Sequence, residues 1–219
     1  MPPNWCFKMI KIVSFDMDGT LVTSRYVERV WLEGVPTLYA QRHGIGMEEA
    51  RKLVYDEYMS VGTRDLRWYD LSHWLGRFDL DIPHADLLNM YRQDVELYPE
   101  TEEVLALLSE DFDLVVASNG ATEFVEFELD GLRHHFREIL SVTSTFGKVK
   151  DYPETFLDLC RHLGAKPEEV IHIGDHRYFD YEVPKEAGLA ALYLDRERME
   201  SGPHVVHDLR EAAERVRGM

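Results

Sequence analysis

The stretch from Ile12 to Leu21 constrains the fold of this chain more than any other part of the sequence. Its β-branched and aromatic residues favour a buried strand, and Gly19 permits a sharp turn where that strand ends. Asp16 and Asp18 lie two residues apart, so an extended backbone directs both carboxylates to the same side. Like charges held this close resist joint ionisation unless a cation or a proton lies between them. The stretch therefore predicts a strand that carries an acid pair into a glycine turn.

Length and charge limit the classes of partner. The chain has 219 residues, enough for one large domain or for a core with a smaller insertion. A formal net charge of -17 makes nucleic acid and membrane surfaces poor partners, and no apolar run approaches the length of a membrane span. Cys6 and Cys160 lie far apart without metal-type spacing, which favours reduced thiols and a cytoplasmic protein. An anionic substrate would need positive charge supplied locally.

The residue pattern changes twice after the first strand. Helix formers and aromatic residues dominate from about residue 25 to 95, which predicts a small α-helical insertion. Helical and extended patterns then alternate, with strands predicted at 114–117, 139–142, 170–173, 190–194 and 205–206. Such alternation predicts a Rossmann-like α/β fold, a parallel sheet with helices on both faces. We place the core at 9–23 and 97–219, the insertion at 24–96, and an N-terminal appendage at 1–8.

Polar residues follow four of the predicted strands, at the edge where parallel sheets carry their binding sites. In chain order they are Asp16 and Asp18, then Ser118 and Asn119, then Lys148 and Lys150, then Asp175 and Asp180. Taken singly, each group has an ordinary explanation as a turn, a solvated lysine or a helix cap. Their combination at successive strand ends indicates one site.

The string Asp16-Met-Asp-Gly-Thr-Leu21 resembles the first motif of the haloacid dehalogenase-like phosphatases. The order acid pair, hydroxyl, lysine, acid pair resembles the four motifs of that superfamily, over residues 10–23 and about 97–195. The helical insertion lies where the phosphoglycolate phosphatase and β-phosphoglucomutase-like branch carries its first-type cap. Lys150 is preferred to Lys148 because it opens a run similar to the family's Lys-Pro-x-Pro-x-x-Phe pattern, with Asp151 in place of the first proline.

The resemblance implies a Mg²⁺-dependent phosphatase that hydrolyses a small-molecule phosphate monoester through an aspartyl-phosphate intermediate. Asp16 would be the nucleophile, and Asp18 the general acid and then the general base. Mg²⁺ would be held by the carboxylates of Asp16 and Asp175 and by the backbone carbonyl of Asp18. The other implied roles are phosphate binding by Thr20, Ser118, Asn119 and Lys150, and support of the metal waters or of the lysine by Asp180.

Three alternative functions are distinguished by different features. The dehalogenases of the superfamily lack the second acid, so Asp18 argues against a carbon–halogen substrate. A phosphomutase uses the same acid pair and a similar cap, and one sequence does not reveal whether water or a sugar hydroxyl accepts the phosphoryl group. A non-catalytic module that binds Mg²⁺ or phosphate belongs to another class, but such a role does not require the nucleophile Asp16.

The helical insertion is expected to select the substrate. Arg25, Arg64, Arg67 and Trp68 are the candidates for binding a carboxylate, a second phosphate or a ring. His176 stands where serine is common in the fourth motif and is either a substrate contact or a structural histidine. A small cap over a pocket predicts a small phosphorylated metabolite as the partner, and we expect a monomer or a homodimer.

Overall fold

A computed structural model describes residues 10–219 and contains one six-stranded sheet in the order β3-β2-β1-β4-β5-β6. Every neighbouring pair of strands is parallel, which confirms the predicted sheet. The strands are β1 Ile12–Phe15, β2 Asp113–Ser118, β3 Glu138–Ser141, β4 Val170–Gly174, β5 Ala190–Leu194 and β6 Val205–Val206. The third strand ends one residue earlier than predicted because Ser141 caps a short helix, its Oγ accepting from the Ser144 amide at 3.1 Å.

Helices cover both faces of the sheet. They are α6 Thr101–Leu108, α7 Thr122–Glu128, α8 Val142–Phe146, α9 Pro153–Leu163, α10 Val183–Glu186 and α11 Leu209–Arg217, numbered after the five helices of the insertion. Successive side chains of β1 point to opposite faces. Val13 and Phe15 therefore pack in a core with residues of α6 and α11, whereas Ile12 packs with residues of α9. This arrangement confirms the Rossmann-like class.

Helices also fill the insertion between β1 and α6. They are α1 Arg25–Arg29, α2 Val35–His43, α3 Met47–Val61, α4 Leu71–Arg77 and α5 His84–Met90, with a π-helical turn at Val30–Gly34 and 3₁₀ turns at Leu66–Tyr69 and Arg92–Asp94. Their buried side chains, among them Tyr26, Trp74 and Phe78, form a separate apolar core that also includes Ala121 and Phe124 of the α7 region. The helical insertion is thus packed directly against the segment that follows β2.

The insertion leaves and re-enters the sheet domain at one place. Val22 forms an antiparallel bridge with Leu97, and the Thr23 amide donates to the Glu96 carbonyl at 2.8 Å. The two connecting segments therefore run side by side. The predicted domain limits at residues 24 and 96 lie beside this bridge and stay a prediction.

Two further predictions concern the ends of the chain and its thiols. No helix within residues 10–219 combines the length and the apolar character needed to cross a bilayer. The predicted appendage at residues 1–8 and Cys6 lie outside the described residues. Cys160 is buried on α9, and burial raises the pKa of its thiol to about 11, so it acts as a small apolar side chain.

Candidate active site

The carboxyl ends of three neighbouring strands bring the predicted acids and the hydroxyl together. In β1, Phe15 lies opposite Val116 of β2 and Ile173 of β4, so the residues that follow these positions reach the same edge. Asp16 directly follows β1, and its amide donates to the Ile173 carbonyl at 2.9 Å. Ser118 closes β2, and Asp175 directly follows β4. The central position of β1 in the sheet thus places Asp16 between the other two.

The Lys150 ammonium lies between two carboxylates. Its Nζ donates to Asp16 Oδ1 at 2.5 Å and to Asp180 Oδ1 at 2.6 Å, and only 2% of its side chain is exposed. Burial alone would lower the pKa of Lys150, but Asp16 and Asp180 raise it above its usual value. Lys150 therefore carries a positive charge at the edge where Asp16 follows the first strand.

The loop around residue 150 determines which lysine reaches the acids. The Lys150 amide donates to Asn119 Oδ1 at 2.9 Å, which ties this loop to the end of β2. Lys148 lies two residues earlier, and its ammonium pairs with Asp158 of α9 at 2.5 Å. The structure therefore brings Lys150 to Asp16, while Lys148 contacts a helix outside the site.

Three carboxylates form a cluster suited to a divalent cation. Asp16, Asp175 and Asp180 each offer an oxygen, and these atoms lie within 4.8 Å of one another. Carboxylate oxygens are the ligands that hard cations such as Mg²⁺ prefer. Asp180 already accepts from Lys150 and, through Oδ2, from the His176 amide at 2.9 Å. Asp16 and Asp175 thus fit the role of metal ligands better than Asp180, whose oxygens are engaged.

Burial and mutual repulsion raise the pKa values of the acids. Burial raises the pKa of Asp16 to about 6, with Lys150 opposing the shift and Asp180 adding to it. Burial and the Asp16 carboxylate raise the pKa of Asp18 to about 7. Desolvation by the surrounding chain and the Asp16 carboxylate raise the pKa of Asp175 to about 8. Without a cation, Asp175 therefore holds a proton near neutral pH, Asp18 is partly protonated, and Asp16 beside Lys150 is mostly ionised. A group with a pKa near 7 is well matched to general acid and base chemistry.

The turn after β1 is held by an arginine that the motif comparison did not single out. Arg196 donates from Nε to the Gly19 carbonyl at 3.0 Å and from Nη2 to the Thr20 carbonyl at 2.7 Å. A buried partner, Glu100, accepts from Arg196 at 2.8 Å. Thr20, which we predicted to bind phosphate, is instead fully buried within the turn and does not line the cavity. The Asp18 carboxylate does line the cavity.

Two buried polar side chains behind the site were not predicted. His172 Nε2 lies 3.1 Å from Asp180 Oδ1, and Nδ1 lies 2.9 Å from Ser14 Oγ. Burial lowers the pKa of His172, so a neutral imidazole donates to Asp180 and accepts from Ser14. Burial and the Asp18 charge raise the pKa of Glu128 on α7 well above its usual value. His172 interrupts the apolar strand 170–173, and Glu128 lies among the apolar residues of 124–129. A polar residue within such an apolar run is the feature of the sequence that could have identified each of them.

A cavity of about 490 Å³ opens between this edge of the sheet and the helical insertion. Its polar floor includes Asp16, Asp18, Ser118 and Lys150. The rest of the lining is mainly aromatic and apolar: Val27, Trp31, Leu32, Tyr55, Tyr58, Met59, Trp68, Tyr69, Ala121, Phe124 and Phe179. Of the residues predicted to bind substrate, Trp68 and His176 line the cavity.

Arg25, Arg64 and Arg67, which we expected at the substrate, do not line the cavity. Each lies near a carboxylate instead: the pairs are Arg25–Asp94 at 3.0 Å, Arg64–Asp151 at 3.6 Å and Arg67–Asp65 at 2.6 Å. All three side chains are more than half exposed. The expected placement is therefore corrected: these three arginines lie beside acids at exposed positions and do not line the cavity.

Gly19→Ala is expected to lower kcat/KM for the phosphate monoester hydrolysis that the sequence implies by about 100-fold. Misplacing a group in a reactive site by about 1 Å has an effect of that size. Gly19 has a φ of +75°, and a Cβ there would lie 2.1 Å from Asp175 Oδ2, so the carboxylate would have to move. Gly44→Ala is the matched control: its φ is +66°, but nothing lies within 4 Å of the added carbon. We expect that control to lose stability without losing activity; equal activities of the two variants would contradict the prediction.

The chain is similar to known proteins along most of its length. A family model for haloacid dehalogenase-like hydrolases matches residues 10–188. The chain is 25% identical to a glyceraldehyde 3-phosphate phosphatase of Methanocaldococcus jannaschii, over 96% of this chain and 99% of that protein. It is 29% identical to a phosphoglycolate phosphatase of Aquifex aeolicus, over 82% of each. A crystal structure of a HAD phosphatase from Thermococcus onnurineus has a TM-score of 0.80 at 25% identity, over 94% of this chain and 98% of that one. The predicted family is confirmed, and this chain belongs to the haloacid dehalogenase-like hydrolases.

Proposed function

We propose that this protein is a Mg²⁺-dependent phosphatase that hydrolyses a small phosphate monoester. The contact of Lys150 Nζ with Asp16 Oδ1 at 2.5 Å, at the floor of a cavity that Asp18 also lines, carries the proposal. It joins a nucleophile, a cation for the phosphoryl oxygens and a second acid in one place. Two relatives named as phosphatases, which match 96% and 82% of this chain, support the same reaction class.

The carboxylates of Asp16 and Asp175 and the backbone carbonyl of Asp18 would hold the Mg²⁺ ion. When bound, the ion supplies the positive charge that lets the anionic nucleophile approach an anionic phosphoryl group. The cluster of carboxylate oxygens within 4.8 Å supports this assignment. Asp180 acts behind the ligands, where it accepts from Lys150 and fixes the direction of that ammonium.

The chain's own groups perform two successive displacements at phosphorus. In the first, an Asp16 oxygen forms a bond to phosphorus while the ester P–O bond breaks, and Asp18 donates a proton to the departing oxygen. In the second, Asp18 takes a proton from water, whose oxygen attacks phosphorus and releases Asp16 with inorganic phosphate. The Lys150 ammonium offsets the charge on the equatorial phosphoryl oxygens in both steps.

Ser118 and Asn119 have different roles in this proposal. Ser118 Oγ accepts from the Gly120 amide at 3.0 Å, which leaves its hydroxyl hydrogen to donate to a phosphoryl oxygen. Asn119 Oδ1 accepts from the Lys150 amide, and its Nδ2 donates to the Tyr69 hydroxyl at 3.4 Å. Asn119 therefore positions the lysine loop and contacts the insertion instead of binding phosphate directly.

We also propose that residues 24–96 act as a cap over the core formed by 9–23 and 97–219. The cavity lies between these two parts and has room for a small phosphorylated metabolite. The antiparallel bridge between Val22 and Leu97 supports movement of the insertion as one unit, because both of its connections lie at the same place. Closure of such a cap would exclude water while Asp16 is being phosphorylated.

The purified protein is expected to release phosphate from p-nitrophenyl phosphate with Mg²⁺ present and to stop when EDTA removes the metal. Activity should return on addition of excess Mg²⁺. Turnover that is unchanged in EDTA would contradict the metal dependence. Isomerisation of a hexose phosphate without phosphate release would favour a phosphomutase, and metal or phosphate binding without turnover of any ester would favour a non-catalytic module.

A further inference from the structure

The part of the cavity beyond the acids is built from interlocked aromatic rings. Trp31 stacks on Phe124 with ring centroids 5.5 Å apart and meets Tyr58 edge-on at 5.7 Å. Tyr58 in turn meets Trp68 edge-on at 6.3 Å. Each ring is held by its neighbours, so this aromatic wall is preorganised and loses little conformational entropy when a ligand binds. A flat apolar group can contact these rings while the phosphoryl group lies at the acids.

The charges around the cavity disfavour a second anionic group on the ligand. Within residues 10–219, Lys150 is the only lysine or arginine that lines the cavity, and its ammonium already contacts Asp16 and Asp180. Glu28 also lines the cavity and forms no ion pair with another residue in the described part of the chain. A carboxylate or second phosphate on the ligand would meet no lysine or arginine other than Lys150 and would be repelled by the exposed Glu28 carboxylate, a repulsion that added salt weakens.

We propose that the natural leaving group of this enzyme meets two conditions. It is apolar, as a flat ring is, and it carries no negative charge in addition to that of the phosphate. This inference rests on the proposed phosphatase function and defines its substrate class. Phosphate esters of aryl or arylalkyl alcohols meet both conditions, and a cationic substituent near Glu28 would be accepted as well. Phosphoglycolate, which is named for one of the relatives, carries a carboxylate and meets neither condition.

Binding of non-hydrolysable phosphonates tests the inference without requiring turnover. Benzylphosphonate, 4-carboxybenzylphosphonate and phosphonoacetate would be titrated by calorimetry into the full chain with Mg²⁺ present. We expect benzylphosphonate to bind at least about tenfold more tightly than either carboxylated ligand. The carboxylates of those two ligands are repelled by Glu28 and find no lysine or arginine other than Lys150 to pair with, whereas benzylphosphonate has no carboxylate. Equal or tighter binding of phosphonoacetate would overturn the inference.

Three variants test which side chains cause the preference. Trp68→Ala should weaken benzylphosphonate binding by about tenfold, since it removes one ring of the wall. Leu66→Ala is the matched control, because Leu66 is exposed on the same 3₁₀ turn and does not line the cavity. Glu28→Gln should reduce the difference in binding affinity between benzylphosphonate and 4-carboxybenzylphosphonate. Identical affinities in Trp68→Ala and Leu66→Ala, or an unchanged difference in Glu28→Gln, would count against the inference.

Matched esters separate this inference from the proposed function. Benzyl phosphate and 4-carboxybenzyl phosphate have closely similar alkoxide leaving groups and differ in one carboxylate, so their kcat/KM ratio measures selectivity. A ratio of at least about ten is expected. If phosphoglycolate is turned over as well as benzyl phosphate, the inference fails while the phosphatase proposal stands. If the phosphonates bind in the expected order but no ester is hydrolysed, the phosphatase proposal fails while the preference of the site stands.

Discussion

Asp16→Asn protein is expected to hydrolyse p-nitrophenyl phosphate with a kcat at least about 10⁴-fold below that of the unchanged protein, a loss typical of removing a nucleophile. A carboxamide oxygen is a poor nucleophile, and the phosphorylated intermediate cannot form on it. Lys150 keeps its contact with Asp180 in this variant, so the fold should be retained. Steady-state kinetics with Mg²⁺ and a thermal unfolding curve together measure both effects.

Asp113→Asn is the matched control for this nucleophile variant. Asp113 is exposed at the start of β2, at the opposite end of the sheet, where it pairs with Arg137 at 2.8 Å. The same chemical change there should leave kcat within about twofold, because an exposed ion pair contributes little. Turnover of Asp16→Asn protein within tenfold of the control would refute the proposed mechanism.

Lys150→Met is expected to lower both stability and activity. Removal of the ammonium leaves Asp16 and Asp180 buried without their cation, which costs about 3–5 kcal/mol in the free energy of unfolding. The loss should be larger near pH 8 than near pH 5. Without the ammonium, the pKa values of both carboxyls rise, so the folded state holds protons that the unfolded state has released, and stability falls as pH increases. We expect kcat to fall by about 10²–10³-fold.

Urea unfolding in EDTA near pH 5 and near pH 8 measures the loss in the free energy of unfolding. The matched control is Lys148→Met, measured in the same way. Lys148 pairs with Asp158 at 2.5 Å, and 42% of its side chain is exposed. Its removal should cost no more than about 1 kcal/mol, with kcat retained. A Lys148 variant that loses activity as severely as the Lys150 variant would reverse the assignment of the two lysines.

The arrangement of the acids could be predicted because it depends on strand ends. Parallel strands bring their carboxyl ends to one edge, so Asp16, Ser118 and Asp175 meet wherever the sheet order places β1 between β2 and β4. The preference for Lys150 came from a short local pattern, and the contact with Asp16 agrees with it. These features need only the direction of each strand and the residue that follows it.

The substrate side of the cavity could not be predicted in the same way. The charge of Arg25 and Arg67 favours an anionic ligand, but Asp94 and Asp65 compete for them, and a sequence does not reveal which partner an exposed arginine takes. The aromatic residues of the insertion have helical spacing that equally suits packing in a core. Only tertiary packing determines that Trp68 lines the cavity whereas Trp74 is almost fully buried.

Arg196 extends the part of the chain that positions the active site. It lies beyond residue 188, where the family match ends, yet it donates to the carbonyls of Gly19 and Thr20 and lies over the Tyr98 ring, with its guanidinium carbon 3.3 Å from the ring centroid. The first motif thus depends on a residue that a motif-based definition of the enzyme omits. A fragment that ends at residue 188 would keep all four motifs and still lose the support of its nucleophile turn.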